Sequence, residues 1–297
     1  SWSVRGHYEN DLAKPYAQAQ LAGLTLATLG DEMLAEAFNE AVKLKTDNNS
    51  FGGVQYYDNS YETGSGFDMQ SLAVQAGHWY KPGDMTWGWF AQYAHGHYSV
   101  DPRDATGGID TFGLGGFALL PYSEEGHFEA VLRAGYQTGD FESDELSSNL
   151  ERKGFYGGLS AGIVQNLSLF QLYGKINWLY LAGDDVYDNL GQDVDFDAVQ
   201  SLSGKFGARL NLGTVAKYYK PYIGVSGIYE MDGDSSVSVD GHNVSGVDLG
   251  GLTGQAEIGV TYEKVDPMLP VKASLALFGL TGQAEGFGGN VYLTFSF

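Results

Sequence analysis

Apolar and polar residues alternate one by one along most of the chain after Phe51. Between residues 126 and 140, for example, Phe128, Leu132 and Tyr136 share one face, and Arg133 lies on the other. Because successive side chains of a β-strand point to opposite sides, this period of two predicts strands with one apolar and one polar face. Twelve such segments follow one another, near residues 51–62, 67–80, 86–100, 110–121, 126–140, 153–166, 169–182, 197–212, 219–231, 252–265, 270–283 and 286–297.

A different pattern precedes the strands. Residues 1–14 are polar and irregular, whereas residues 15–45 are rich in Ala, Leu and Glu, which favours a helix that begins at Pro15. About 30 residues at about 1.5 Å each give a rod of about 45 Å, longer than the roughly 30 Å hydrocarbon core of a membrane. Asp31, Glu32 and Glu36 exclude this helix from lipid, because an unpaired charge there is costly. The helix therefore needs a polar shelter of similar length.

The connections between the predicted strands alternate in length. They are short near residues 82, 123, 166, 217 and 267, and long and acidic near residues 103, 144, 188 and 240. Aromatic residues cluster at strand ends, as in the pairs Trp79-Tyr80 and Tyr218-Tyr219. Alternation alone fits a soluble β-sandwich as well, but short turns, long loops and aromatic girdles together are typical of outer-membrane barrels. The pattern predicts an all-β fold, a transmembrane antiparallel β-barrel of about 12 strands.

Composition excludes several other classes. The net charge of −21 argues against a nucleic-acid partner, because a phosphate binder needs a basic patch. The chain has no Cys, so it uses neither disulfide nor thiolate chemistry. No stretch of about 18 apolar residues predicts a transmembrane helix. Because the chain begins at Ser1 without a signal peptide, we expect a fragment or a processed product.

Several segments, taken in order, resemble the translocator (β) domain of bacterial autotransporters, the type V secretion proteins. These segments are "GHFEAVLRAGYQTGDF" (126–141), "FDAVQSLSGKFGARL" (196–210), "KPYIGVSGIYEMDGD" (220–234), "GGLTGQAEIGVTYE" (250–263) and the ending "GNVYLTFSF". The resemblance extends over most of the chain from about residue 15 onward. It implies a twelve-stranded barrel with the N-terminal α-helix threaded through its lumen, which would supply the shelter that the helix needs.

The resemblance also implies a function and a domain division. Residues 1–14 would be the end of a passenger or a linker, residues 15–45 the lumenal helix, and residues 51–297 the outer-membrane barrel. The barrel would export its own N-terminal passenger across the bacterial outer membrane and tether it at the cell surface. The expected partners are outer-membrane lipid and lipopolysaccharide, the barrel-assembly machinery and the passenger, and we expect a monomer.

The last strand carries a candidate assembly signal. An apolar aromatic at the very end of an alternating strand is unusual for a soluble domain. The resemblance implies that a terminal aromatic preceded by alternating apolar residues is the signal that the barrel-assembly machinery recognises. The matching residues here are Val291, Leu293, Phe295 and Phe297. A simpler interpretation is that these side chains only face lipid.

Four basic residues are predicted to face the lumen. They are Arg133, Lys175, Lys205 and Arg209, from strands expected to lie close together. We expect them to pair with Asp31, Glu32 and Glu36 of the helix, because a buried charge without a partner costs several kcal/mol. The alternative is that these charges only line a wet lumen.

Some autotransporters cleave themselves inside the barrel at an asparagine of the helix, with help from lumenal acids. Asn39 is the candidate here, and Glu129 or Glu257 could face it. The self-cleaving members carry paired asparagines at this place, whereas this chain has one. We therefore favour an uncleaved helix over cleavage at Asn39.

The remaining candidates carry little chemistry. His95 and His97 share one strand face, but no third metal ligand is visible and no metal site is predicted. The acidic segments 183–197 and 231–243 lack the ligand spacing of an EF-hand, so they read as solvated outer loops. A lipase-like site would need Ser, His and an orienting residue to converge in space, and the sequence predicts no such convergence, so we expect neither an enzyme nor a cofactor. The alternatives are a porin-like diffusion channel and, less favoured, an outer-membrane hydrolase.

Overall fold

The computed structural model describes residues 2–43, 48–63, 66–100, 104–264 and 271–296. Two helices come first, α1 (Trp2–Glu32) and α2 (Leu34–Lys43). The predicted helix start at Pro15 is wrong, because α1 begins at Trp2 and includes the proline. A proline in a helix interior removes one backbone hydrogen bond and usually ends the helix, so the sequence rule set the start too late. The predicted end at Lys45 lies outside the described residues.

Neither described helix is long and apolar enough to cross a membrane.

Sixteen strands are described after the helices. Twelve of them are long: β1 (Asn48–Tyr61), β2 (Phe67–Tyr80), β3 (Thr86–Val100), β4 (Ala105–Pro121), β5 (Gly126–Ser143), β6 (Ser148–Leu167), β7 (Phe170–Leu181), β10 (Val199–Asn211), β11 (Tyr219–Asp232), β14 (Gly251–Lys264), β15 (Val271–Gly282) and β16 (Ala284–Ser296). The other four are short: β8 (Asp184–Tyr187), β9 (Asp193–Phe196), β12 (Asp234–Val239) and β13 (His242–Asp248).

The twelve long strands form a closed antiparallel barrel, as predicted. Each pairs with its neighbour among the long strands, and β1 closes the ring by pairing with β16. The closing register sets Val54 opposite Val291 on one side and opposite Val74 on the other. Because alternation fixes which face each residue takes, this register keeps the apolar face continuous across the seam.

The outside of the barrel is apolar. Leu132, Phe155 and Phe206 point outward and are 63%, 70% and 62% exposed. Large apolar side chains on the outside of a closed barrel are the lipid-facing band of a membrane protein. The inward positions hold smaller, polar or buried aromatic residues that contact the helices.

The helices lie inside the barrel and fill it. Leu21, Leu24 and Leu34 are completely buried. The fit is close at Gly30, where a Cβ atom would overlap the amide group of Gln92 from the wall. A larger residue at position 30 would therefore force the Gln92 side chain to move. Tyr16 donates a hydrogen bond to Ser148 near the long-loop end of the barrel. At the short-turn end, Lys81 donates hydrogen bonds to the carbonyl oxygens of Ala41 and Val42 in the last turn of α2.

The four short strands form a second sheet in the order β13-β12-β9-β8 at the long-loop end. The prediction that residues 183–197 and 231–243 are only solvated loops is therefore wrong. Val194, Phe196 and Val237 are buried at 0%, 1% and 1% exposure, in one core with residues of α1. Their alternation with aspartate and serine was the available signal, but it was obscured by the high charge of these segments.

Candidate functional site

The predicted lumenal charges meet along one side of the helices. The most buried of them is Asp31, which is 2% exposed. Lys175 of β7 reaches it with 2.6 Å between Nζ and Oδ2, and the Ser160 hydroxyl donates to its other oxygen at 2.7 Å. Both carboxylate oxygens therefore have a partner from the barrel wall.

Two further pairs follow toward the short-turn end. Lys205 Nζ lies 2.5 Å from Glu32 Oε2, and Arg209 Nη2 lies 2.6 Å from Glu36 Oε1. Arg209 also contacts Glu257 of β14 at 3.0 Å, and its guanidinium stands 4.0 Å over the ring centre of Tyr222. One basic side chain of β10 thus connects the helix, a second strand and an aromatic face.

The next pair was not predicted from the sequence. Lys272 of β15 lies 2.9 Å from Glu40 and 3.1 Å from Glu263. The signal was present, because Lys272 shares the inward face of β15 with Ser274, and Glu40 follows Glu36 by four residues. We call the four helix acids and their four wall cations the lumen ladder; its members are Asp31, Glu32, Glu36, Glu40, Lys175, Lys205, Arg209 and Lys272.

Arg133, the fourth predicted cation, takes a different partner. It donates a hydrogen bond to the carbonyl oxygen of Ala27 at 2.5 Å. Gln137 and Gln75 donate in the same way to Gly23 and Gly30, both at 2.9 Å. These wall side chains bind backbone carbonyl oxygens of α1 and do not pair with its charged side chains. Sequence reasoning missed this second kind of contact because a helix carbonyl leaves no mark in the sequence.

Asn39 lies beside a small cavity. Its side-chain oxygen accepts a hydrogen bond from Gln171 at 2.8 Å. Glu129 and Glu257 line the same cavity, whose volume is about 80 Å³. Glu257 contacts Arg209, and Glu129 contacts His127 at 3.2 Å. The three residues named for self-cleavage thus border one space, each with a bonding partner. Cleavage itself stays a hypothesis.

The histidine pair and the acidic segments offer no metal centre. His95 lies on the outside of the barrel with its Nδ1 atom 3.0 Å from Asp110, and His97 is two residues along on the same face. Over the ranges that the structure describes, no group of three or more His, Asp or Glu side chains is arranged to hold a metal ion.

The candidate assembly signal lies on β16. Val291, Leu293 and Phe295 are 47%, 37% and 37% exposed and point outward. Their opposite partners on β1 are Val54, Gly52 and Ser50. Phe297 lies outside the described residues. The geometry is compatible with lipid contact, and recognition by the assembly machinery stays a prediction.

Comparisons with known proteins give the same fold. A family model described as "Autotransporter beta-domain" matches residues 49–266. The translocator domain of the autotransporter NalP from Neisseria meningitidis is similar in structure, with a TM-score of 0.78, 14% identity, and coverage of 95% of this chain and 99% of that one. The transport unit of the autotransporter AIDA-I from Escherichia coli has a TM-score of 0.71 and 17% identity, covering 96% and 99%.

An outer membrane channel from Pseudomonas putida F1 is also similar, with a TM-score of 0.57, 14% identity, and coverage of 85% and 96%. At these identities, structural likeness establishes the fold alone. No curated protein is similar enough in sequence to count as a match.

Proposed function

From the premise that this chain belongs to the autotransporter β-domain family, we propose that its lumenal helix is the tether and plug of a surface-displayed passenger. The chain is a translocator domain of the bacterial outer membrane. The proposal concerns what the particular side chains do: the lumen ladder retains the helix after export, and the helix joins the barrel to an N-terminal passenger outside.

The lumen ladder is the observation that carries this proposal. Each of its four helix acids lies within 3.0 Å of a wall cation. Breaking a buried ion pair costs about 3–5 kcal/mol, because one charge is left without a partner. Four such pairs, with the carbonyl contacts of Arg133 and Gln137, give the helix one defined seat in the barrel.

The filled lumen favours this function over a diffusion channel. Leu21, Leu24 and Leu26 have no exposed surface, although they stand where a channel would carry solute. Two of the cavities beside the helix have volumes of only about 80 Å³ and 150 Å³. A porin-like function would need the helix to leave.

The partners follow from the same proposal. The outward apolar face would contact lipid and, on the outer leaflet, lipopolysaccharide. The assembly machinery would read Val291, Leu293 and Phe295 of β16 together with Phe297. We further propose that the barrel works as a monomer and has neither a catalytic activity nor a cofactor of its own.

A surface-exposure experiment tests the tether. A signal peptide and an epitope tag are placed ahead of Ser1, and protease is added to intact cells of a bacterium with an outer membrane. We expect the tag to be removed while the barrel keeps its heat-dependent shift in electrophoresis. As a matched control, a tag at Gly83, in the short turn between β2 and β3, should stay protected.

The opposite result would contradict the proposal. If the N-terminal tag is reached only after the outer membrane is opened, the helix does not lead outward. The channel function would then be tested next by measuring pore conductance.

A further inference from the structure

On one side of the barrel, the outward apolar band is short along the membrane normal. On β2 the outward positions Leu72, Val74 and Ala76 are apolar, and they are bounded by Gln70 and His78. A tilted barrel strand rises about 2.5 Å per residue along the membrane normal. The eight steps from Gln70 to His78 therefore span about 20 Å, less than the usual apolar band of about 25 Å.

On the opposite side of the barrel, the apolar band is longer along the membrane normal. On β11 every outward position from Tyr219 to Met231 is apolar or aromatic, or is a glycine. On β7 the same holds from Phe170 to Tyr180. By the same rise per residue, these stretches span about 30 Å and 25 Å. In the ring of twelve strands, β7, β10 and β11 lie opposite β1, β2 and β3.

Polar groups lie at the two edges of the short apolar band, and they form hydrogen bonds with one another across strands. Ser50 Oγ lies 3.0 Å from His78 Nδ1 near the short-turn end, and Gln70 donates to Asp58 at 3.2 Å near the long-loop end. On β3 and β4, Tyr93 donates to Asp110 at 2.6 Å. These pairs form an organised border on the outside of the barrel. A carboxylate at such a place needs headgroups or water nearby, because burying a charge in hydrocarbon is costly.

We propose that the outer wall formed by β1, β2 and β3, which we call the thin wall, binds a locally thinned bilayer. At the thin wall, lipid headgroups and water come closer to the membrane centre than at the opposite wall of β7, β10 and β11. A bilayer adapts to a short apolar surface by thinning, at a modest cost in free energy. Lipid therefore covers the thin wall, and the bilayer is thinner there because the apolar surface of the barrel is short.

The absence of cysteine makes a clean labelling experiment possible. Single cysteines are introduced as Gln70→Cys and His78→Cys on β2, and as Leu172→Cys and Tyr180→Cys on β7. Both pairs are eight residues apart and point outward. Each variant of residues 1–297 is folded into vesicles of 16- to 18-carbon lipids, and folding is checked by its heat-dependent shift in electrophoresis. A charged maleimide is then applied to both sides of the membrane.

We expect both β2 thiols to react at least about tenfold faster than both β7 thiols, because charged reagents are excluded from hydrocarbon. In vesicles of 12-carbon lipids, the β7 thiols should become reactive as well, which would show that the thicker lipid was protecting them. If the β2 thiols are protected as strongly as the β7 thiols in the thick bilayer, the thin wall does not thin the membrane.

Labelling in cells separates lipid from a protein occupant. If the β2 thiols react in purified vesicles and also in outer membranes, lipid covers the thin wall. If they react in vesicles but are protected in outer membranes, another protein covers the wall and the proposed occupant is wrong.

Discussion

Arg209 ties three elements together. It stands on β10 and holds Glu36 of α2 and Glu257 of β14 at 2.6 and 3.0 Å. We expect Arg209→Gln to lower the free energy of unfolding by about 3–5 kcal/mol, because two carboxylates lose a buried partner. Urea unfolding of the purified barrel in lipid vesicles measures the change.

An exposed ion pair provides the matched control. Lys220 lies 2.6 Å from Glu263, but half of its side chain is exposed. Lys220→Gln should therefore cost less than about 1 kcal/mol. The exchange Arg209→Glu with Glu36→Arg should recover part of the loss caused by Arg209→Glu alone. If Arg209→Gln and Lys220→Gln cost the same, the lumenal charges only line a wet lumen.

Residue-level prediction gave the inward orientation of the four cations and the helix acids as partners of three of them, but not the partner of Arg133. Alternation alone showed that Arg133, Lys175, Lys205 and Arg209 face inward. Which helix group each one meets depends on the rotation of the helix and on the stagger of the strands, and both are set by long-range packing. Arg133 therefore bonds a carbonyl, and Lys272 joined the ladder unpredicted.

At the scale of elements, the strands were predictable and the outer sheet was not. A twelve-stranded barrel repeats the same period in every strand, so local pattern and global fold agree. β8, β9, β12 and β13 have only four to seven residues each and come from two separate segments. Their pairing brings β9 to β12 across more than one barrel strand, and no local signal specifies such a contact.

The outer sheet is expected to respond to pH. A side-chain hydrogen bond in which the protonated carboxyl of Asp193 donates to Asp185 raises the pKa of Asp193 above its ordinary value, and partial burial and the charges of Asp185, Asp195 and Asp240 raise it further. Because the raised pKa means that the folded sheet disfavours the charged form, the sheet is less stable while Asp193 is ionised. It should gain stability as the pH falls through the raised pKa.

Limited proteolysis of the outer sheet between pH 7 and pH 4 measures this effect. We expect cleavage of residues 183–197 to slow as the pH falls, and Asp193→Asn should resist cleavage at pH 7 and respond less to pH. Tyr187→Phe, at an exposed position of the same hairpin, is the control and should behave like the natural sequence. Slower cleavage at high pH would have the opposite sign and would contradict the argument.

At the scale of the whole molecule, the charges of wall and helix are separated. The chain carries a net charge of −21, yet the wall side of the lumen ladder is basic. If the helices were removed, Asp31, Glu32, Glu36 and Glu40 would leave with them. Of the paired groups, four cations would stay on the wall with only Glu257 and Glu263 as counter-charges.

A barrel that lacks residues 1–43 should therefore conduct and should prefer anions, because a narrow pore lined by one sign of charge concentrates the opposite ion. The reversal potential across a planar bilayer with a KCl gradient reports this preference. Adding Lys205→Gln and Arg209→Gln to the shortened chain should shift the preference toward cations, while Lys217→Gln, in an exposed turn, should leave it unchanged. A cation-selective pore in the shortened chain would mean that the wall charges do not set the field of the lumen, and the ladder would then lose its electrostatic basis.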